Sequence, residues 1–190
     1  TSYYGFTKLV IEKNLKWYSN LNAITYASLR YFNAAGYDLM KRVLEIEKNP
    51  QNLIPKIMDF LIRKGNHIDV YGDDYNTKDG TGVRDYIHVS DLAKAHIKAI
   101  DFIQKEKQNL TINLGAEIGY SVLDIINKSS EISKRRIEYK IAERRQGDLG
   151  KIIADSKLAN ELIGWEPQNS DLDSIIKSTW EIYKTKTVIE

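Results

Sequence analysis

Near the start of the chain, in the stretch TSYYGFTKLVIEK (1–13), a tyrosine and a lysine stand four residues apart, Tyr4 and Lys8. On a helix, positions i and i+4 share one face. A phenol with an ordinary pKa of about 10 is a poor base near neutrality. A neighbouring ammonium favours the phenolate, and a tyrosine so placed can both take and return a proton. The spacing alone does not establish that role, because many solvated helices carry it by chance. Elsewhere, DDYNTKDG (73–80) gathers carboxylates but reads as a solvated turn, with Gly80 and Gly82 permitting tight backbone geometry; no metal site is expected there. His88 reads as a packing or hydrogen-bonding residue rather than a catalyst.

These residues need elements to position them. The segment after Tyr4 predicts a helix to about Ser19, and AITYASLRYF (23–32) predicts a buried strand that ends at NAAGYD. NLIPKIMDFLIRKG (52–65) predicts a helix stopped by Gly65, followed by a short strand, IDVYG (68–72). VSDLAKAHIKAIDFIQK (89–105) predicts a helix with Ser90 as its cap. LTINLG (110–115) and IEYKIA (137–142) predict strands, with a helix between them over 121–132 and two more near 155–163 and 171–184. Strands alternating with helices imply an α/β protein with parallel pairing. No GxGxxG or GxxGxxG follows a strand and opens a helix; GAEIG (115–119) has the wrong spacing to cradle phosphates.

Composition limits the function classes. The 190 residues are 42% hydrophobic and 28% charged, as in ordinary globular chains, and the net charge of +2 gives no broad footprint for nucleic acid. With no cysteine, disulfides, thiolate chemistry and most structural zinc sites are excluded. No apolar run reaches membrane-spanning length and no signal-peptide pattern is present, so the chain is read as cytoplasmic, without a membrane partner. Of the two basic clusters, SKRR (133–136) reads as a solvated face, whereas ERR (143–145) runs into the stretch RRQGDL (144–149).

The stretches YGFTKLVIE (4–12), LRYFNAAG (29–36), NLIP (52–55), VYGDDYNTKDGTGVRDYIHVSDLAKAH (70–96), NLGAEIGYSVLDII (113–126), RRQGDL (144–149) and ADSKLANELIGWEP (154–167) stand in one order and spacing. In that arrangement the chain resembles the extended short-chain dehydrogenase/reductase family, in its branch of nucleotide-sugar 4-epimerases. The resemblance implies the later part of an NAD-binding Rossmann-like domain (1–36, with 85–115 returning to it) and a smaller mixed α/β domain for a UDP-sugar (mainly 37–190). It implies NAD as cofactor and interconversion of UDP-glucose and UDP-galactose by transient oxidation at sugar C4. Tyr4 would be the acid/base at the 4-hydroxyl, Lys8 its electrostatic partner and a ribose contact, and Tyr31 a neighbour of the nicotinamide. Asn33, Asn52 and Leu53 would contact the UDP-sugar, and Val70 and Tyr71 would lie against uracil, Tyr71 offering a stacking face. Arg84 and Arg145 would grip the diphosphate, for which a forked guanidinium is suited, and Asp148 would accept ribose hydroxyls. Arg30 and Arg144 are read as structural or solvent-facing. Ile152 stands where some relatives gate N-acetylated sugars, and its branched side chain implies a restricted pocket. Relatives commonly pair as homodimers through helices that include the one with Tyr-x-x-x-Lys.

The chain departs from the pattern in two places. The segment YDLMKRVLEIEKNPQ (37–51) replaces a glycine-rich loop and reads as charged and partly helical. The glycine fingerprint, the ribose-binding acid and the catalytic Ser or Thr that precede the tyrosine in the family have no counterpart here, so the chain is expected to act as a second half, with exposed strand edges, low stability alone and no tight NAD binding. Open alternatives are a related glucuronate epimerase, decarboxylase or dehydratase, and a UDP-sugar-binding remnant without catalysis. GTGVRDYIHV disfavours the dehydratases.

Overall fold

A computed structural model of the chain describes residues 3–63 and 65–186. Its elements run α1 (Tyr3–Asn20), β1 (Ala27–Tyr31), β2 (Asn33–Ala35), α2 (Leu53–Arg63), β3 (Ile68–Tyr71), β4 (Val83–His88), α3 (Val89–Glu106), β5 (Leu110–Leu114), β6 (Gly119–Ser121), α4 (Val122–Ser133), β7 (Tyr139–Ala142), β8 (Lys151–Ile152), α5 (Lys157–Ile163) and α6 (Leu172–Tyr183), closed by a 3₁₀ turn (Lys184–Lys186). The strands pair in parallel, β1 with β5, β2 with β4, β3 with β7 and β4 with β8; only β4 with β6 is antiparallel among the described residues. This is the mixed α/β architecture with parallel pairing that the alternation of elements predicts. Among the described residues no helix is long and apolar enough to cross a membrane.

Two apolar clusters hold the fold. In the first, α2 contributes Ile54, Ile57, Met58 and Leu61, the i, i+3, i+4, i+7 spacing that puts one stripe of a helix inside. It packs against Ile125 and Ile126 of α4, Ile175 and Ile176 of α6, and Val70 of β3. The second gathers Leu92, Ala95 and Ala99 of α3 around Leu110, Ile112 and Leu114 of β5, with Ala159 of α5 and Trp165. Burying a large apolar side chain in either is worth about 1.5–3 kcal/mol.

β4 joins the two clusters. Its first half (Val83–Asp85) pairs with β6 and β8, and its second half (Tyr86–His88) with β2. Tyr86 packs in the first cluster and Ile87 in the second. The alternation rule does not reveal this strand, because Asp85, Tyr86, Ile87 and His88 are all buried and no period-2 pattern results. β2, β6 and β8 are likewise too short to carry a pattern.

Local differences from expectation have identifiable causes. α3 is capped by His88, not Ser90: extended His88 accepts the Ser90 N–H on Nδ1 at 3.1 Å. α4 carries a full capping box between Ser121 and Asp124. Residues 37–51 form no helix. Asp38 instead accepts the Arg42 backbone N–H at 2.9 Å and pairs with its guanidinium, while Lys41, at φ 55°, reaches Glu181 on α6. The 73–80 turn is anchored rather than wholly solvated: Tyr75 is buried, Thr81 is fully buried, and the Tyr75 N–H donates to the Gly80 carbonyl at 2.9 Å.

No residue of α1 is buried. Glu12 tethers the helix to β1 by accepting from Ser28 Oγ at 2.9 Å and Arg30 Nε at 2.6 Å, and Asn109 donates to Ser19 Oγ at 2.6 Å. Arg30 is therefore a structural arginine.

Candidate functional site

A cleft of about 840 Å³ opens between β2, the start of α2, β3, β4 and the 145–148 turn. It brings together Asn33, Asn52, Leu53, Tyr71, Arg84, Arg145 and Asp148, which the sequence spreads over 116 positions. Asn33 is fixed by donating from Nδ2 to the Asp85 carbonyl at 3.0 Å. Asn52 and Leu53 sit at the first turn of α2, where the Asn52 carbonyl accepts from the Lys56 N–H at 3.0 Å and Pro55 costs no hydrogen bond. Tyr71 lies at the end of β3, and period-2 alternation turns it and Asp69 into the cleft while Val70, 1% exposed, points into the core behind them. Val70 thus supports the wall and does not line it.

The two arginines are held differently. Arg84 on β4 donates from Nη1 to the Leu149 carbonyl at 2.8 Å and the Val83 carbonyl at 3.0 Å, and its Nη2 lies 3.6 Å from Asp148 Oδ1. Arg145 and Asp148 are the ends of a tight turn in which the Asp148 N–H donates to the Arg145 carbonyl at 3.2 Å and Gly147 takes φ 83°. Such a turn needs a residue free to adopt positive φ at its third position, and glycine supplies it. The turn presents Arg145 and Asp148 to the same cleft. Arg145 lies over the Tyr71 ring, its guanidinium carbon 3.9 Å from the centroid, and Arg144 lies over Tyr75 at 4.0 Å while pairing with Asp74. Arg144 is thus structural.

Beneath this wall Asp85, 1% exposed, accepts the backbone N–H groups of Ala116 (2.9 Å), Glu117 (3.2 Å) and Ala154 (3.1 Å). Burial pushes its carboxyl above the usual range, against those three donors. Asp79 accepts from Ser121 and from Thr81, and those bonds hold it below the usual range despite the opposing cost of burial. Tyr86, which also lines the cleft, is pushed up to about 12 by burial.

Tyr4, Lys8 and Tyr31 are not among the lining residues of this cleft. Tyr4 is 70% exposed on α1, with the Lys8 ammonium 5.2 Å from its ring centroid. The helix therefore puts phenol and ammonium on one face, as their spacing predicts. Tyr31 ends β1 with its ring edge-on to His96 on α3, 6.3 Å between centroids, and the following residues Phe32 and Asn33 lead into the cleft. Ile152 pairs with Arg84 in the β8–β4 register and lies outside the lining set. Sequence reasoning missed Asp69, Tyr75, Glu47 and Gln51, all in the cleft wall. Asp69 was recoverable from its two-residue offset from Tyr71; the others depend on loop paths that have no periodic signal.

Parallel α/β layers, with a cleft offering two guanidinium groups, a carboxylate and an aromatic face, can hold an anionic ligand with a flat ring at one end. Residues 1–115 match the NAD dependent epimerase/dehydratase family, and the chain belongs to that family. It is 39% identical over 184 residues to a UDP-glucose 4-epimerase of Halalkalibacterium halodurans, covering 97% of this chain and 55% of that protein. The solved UDP-glucose-4-epimerase of Stenotrophomonas maltophila, with bound NAD and formylated UDP-arabinopyranose, superposes with a TM-score of 0.91 at 37% identity, over 98% of this chain and 56% of that one. The Brucella ovis UDP-glucose 4-epimerase in complex with NAD does so at 0.89 and 38% identity, over 95% and 55%. The chain spans about half the length of the curated relatives it matches.

Proposed function

We propose that this chain supplies the UDP-sugar cleft and the acid/base helix of a UDP-glucose 4-epimerase that interconverts UDP-glucose and UDP-galactose. The observation that carries the reading is the convergence of Arg84, Arg145, Asp148, Tyr71, Asn33 and Asn52 on one cleft. Uracil lies against Tyr71, Arg84 and Arg145 hold the diphosphate, Asp148 takes ribose hydroxyls, and Asn33 and Asn52 with the Leu53 segment line the path toward the sugar.

The donor set on α1 suits the nicotinamide-ribose end of NAD: the Lys8 ammonium for ribose hydroxyls, the Tyr4 hydroxyl for the reacting sugar, and exposed Tyr31 beside the ring. When bound, NAD supplies hydride acceptance from sugar C4 and its return, chemistry no side chain here can perform. Tyr4 Oη takes the proton of the 4-hydroxyl as the C4 hydride departs, and gives it back when hydride returns to the opposite face, so one group acts as base and then acid. The Lys8 ammonium stands on the same helix face, 5.2 Å from the Tyr4 ring centroid. By anchoring the diphosphate, the cleft would leave the oxidised sugar free to turn. The division between a cofactor domain (1–36 with 85–115) and a substrate domain (mainly 37–190) is supported by the two apolar clusters; α5 and Trp165 pack with the former.

Calorimetric titration of the chain with UDP tests the reading. UDP binds, and Arg145→Ala weakens it by about tenfold or more, since a charge-assisted fork onto phosphate contributes at least that much. Unchanged UDP affinity in the variant refutes the diphosphate assignment.

A further inference from the structure

The two cleft arginines differ in a way that bears on selectivity. Arg84 is committed to the Leu149 and Val83 carbonyls and to Asp148. Among the described residues Arg145 has no carboxylate within ion-pair distance; Asp148, at the far end of its own turn, pairs with Arg84 instead. The guanidinium of Arg145 rests on the Tyr71 ring at 3.9 Å, and both residues line the cleft. It therefore covers one face of that ring at the cleft wall. Gly147, two residues further on, takes φ 83°, and a Cβ there would meet nothing within 4 Å, so the turn has open space around it.

We infer that Tyr71 and Arg145 form an exchangeable pair that makes the cleft selective for ligands carrying a base and a diphosphate together. The inference rests on the UDP-sugar reading of the cleft and adds a coupling to it. A nucleobase can reach the Tyr71 face only by displacing Arg145, and a ligand without phosphate gives the displaced cation no new partner. A diphosphate can capture Arg145 only by stripping it from the ring, and a ligand without a base leaves that ring bare. A nucleoside diphosphate satisfies both groups in one step. A cation over an exposed aromatic ring is worth about a two- to fivefold change in equilibrium. A forked, charge-assisted contact to phosphate exceeds that, so the exchange runs forward with the whole ligand.

The test compares UDP, uridine and inorganic pyrophosphate by titration calorimetry on the full chain and three variants. Arg145→Ala is expected to weaken UDP by about tenfold or more yet tighten uridine about two- to fivefold, because the ring is uncovered. Tyr71→Leu is expected to weaken UDP yet tighten pyrophosphate by a similar two- to fivefold factor, because the cation is released. Tyr71→Phe keeps the ring face and the wild-type order of affinities. Misfolding lowers all three affinities together and cannot produce these opposed signs. Uridine no tighter in Arg145→Ala, or pyrophosphate no tighter in Tyr71→Leu, overturns the exchange while UDP binding still stands. If UDP fails to bind the wild-type chain, the UDP-sugar reading falls and the inference with it.

Discussion

Lowering the pH from 7.5 to 5 should destabilise this protein through one side chain, His88. Its side chain is fully buried at the junction of the two clusters. Nδ1 accepts the Ser90 N–H at 3.1 Å, which places the neutral ring's proton on Nε2, 3.0 Å from Ser178 Oγ on α6. Its backbone N–H donates to Ser170 Oγ at 2.9 Å, and Ser170 donates in turn to the buried Asp91 carboxylate at 2.8 Å. Burial pushes the His88 pKa below its ordinary 6.5, outweighing the opposite pull of Asp91, Asp171 and Asp38. Protonation would set an Nδ1–H against the Ser90 N–H, donor facing donor, and remove the cap of α3. With the folded pKa depressed, the unfolded chain binds the proton first. Stability is then complete above about pH 6.5 and lost as pH falls toward the folded value. One proton limits the slope to about 1.4 kcal/mol per pH unit. Urea midpoints for the wild type and His88→Gln, taken at half-unit steps, isolate this contribution as a difference. Asp79, Asp124 and Asp171 have lowered values and act near and below the ordinary carboxylate range, and the raised Asp85 acts with the opposite sign. Because both proteins share these groups, they cancel in the difference. The expected result is a wild-type advantage that shrinks steadily below pH 6.5. A difference that stays flat from pH 7.5 to 5, or grows as pH falls, refutes the reasoning.

Two further outcomes follow from particular contacts. Gly80 has φ 78°, and a Cβ there would lie 1.8 Å from the Asp73 carbonyl oxygen, so Gly80→Ala should cost about 2–4 kcal/mol by urea unfolding and weaken UDP binding by displacing Tyr75; a variant of wild-type stability contradicts this. In an enzyme containing this chain together with the cofactor-binding portion of its relatives, Tyr4→Phe should lower kcat about 10²–10⁴-fold with little change in UDP-sugar KM. Steady-state rates near wild type would remove Tyr4 from the acid/base role.

Much of the fold was legible because its signals are local. The Ile54, Ile57, Met58 and Leu61 stripe marks α2, and β5 alternates apolar with polar residues, with Leu110, Ile112 and Leu114 inside. β4 was not legible as a strand, since a strand buried on both faces loses its alternation. The irregular course of 37–51 was also hidden, because Asp38–Arg42 and Lys41–Glu181 contacts replace the helix that its composition allows. At the site, the residue types were visible but their relations were not. Residue spacing alone determined that Tyr4 and Lys8 share a helix face. Only the tertiary structure decided that Val70 turns away from the cleft, that Arg84 is anchored, and that Arg145 lies on Tyr71. The physical reason is range: backbone periodicity and turn chemistry act over a few residues, whereas the cleft is assembled by strand register and core packing between segments far apart in the chain.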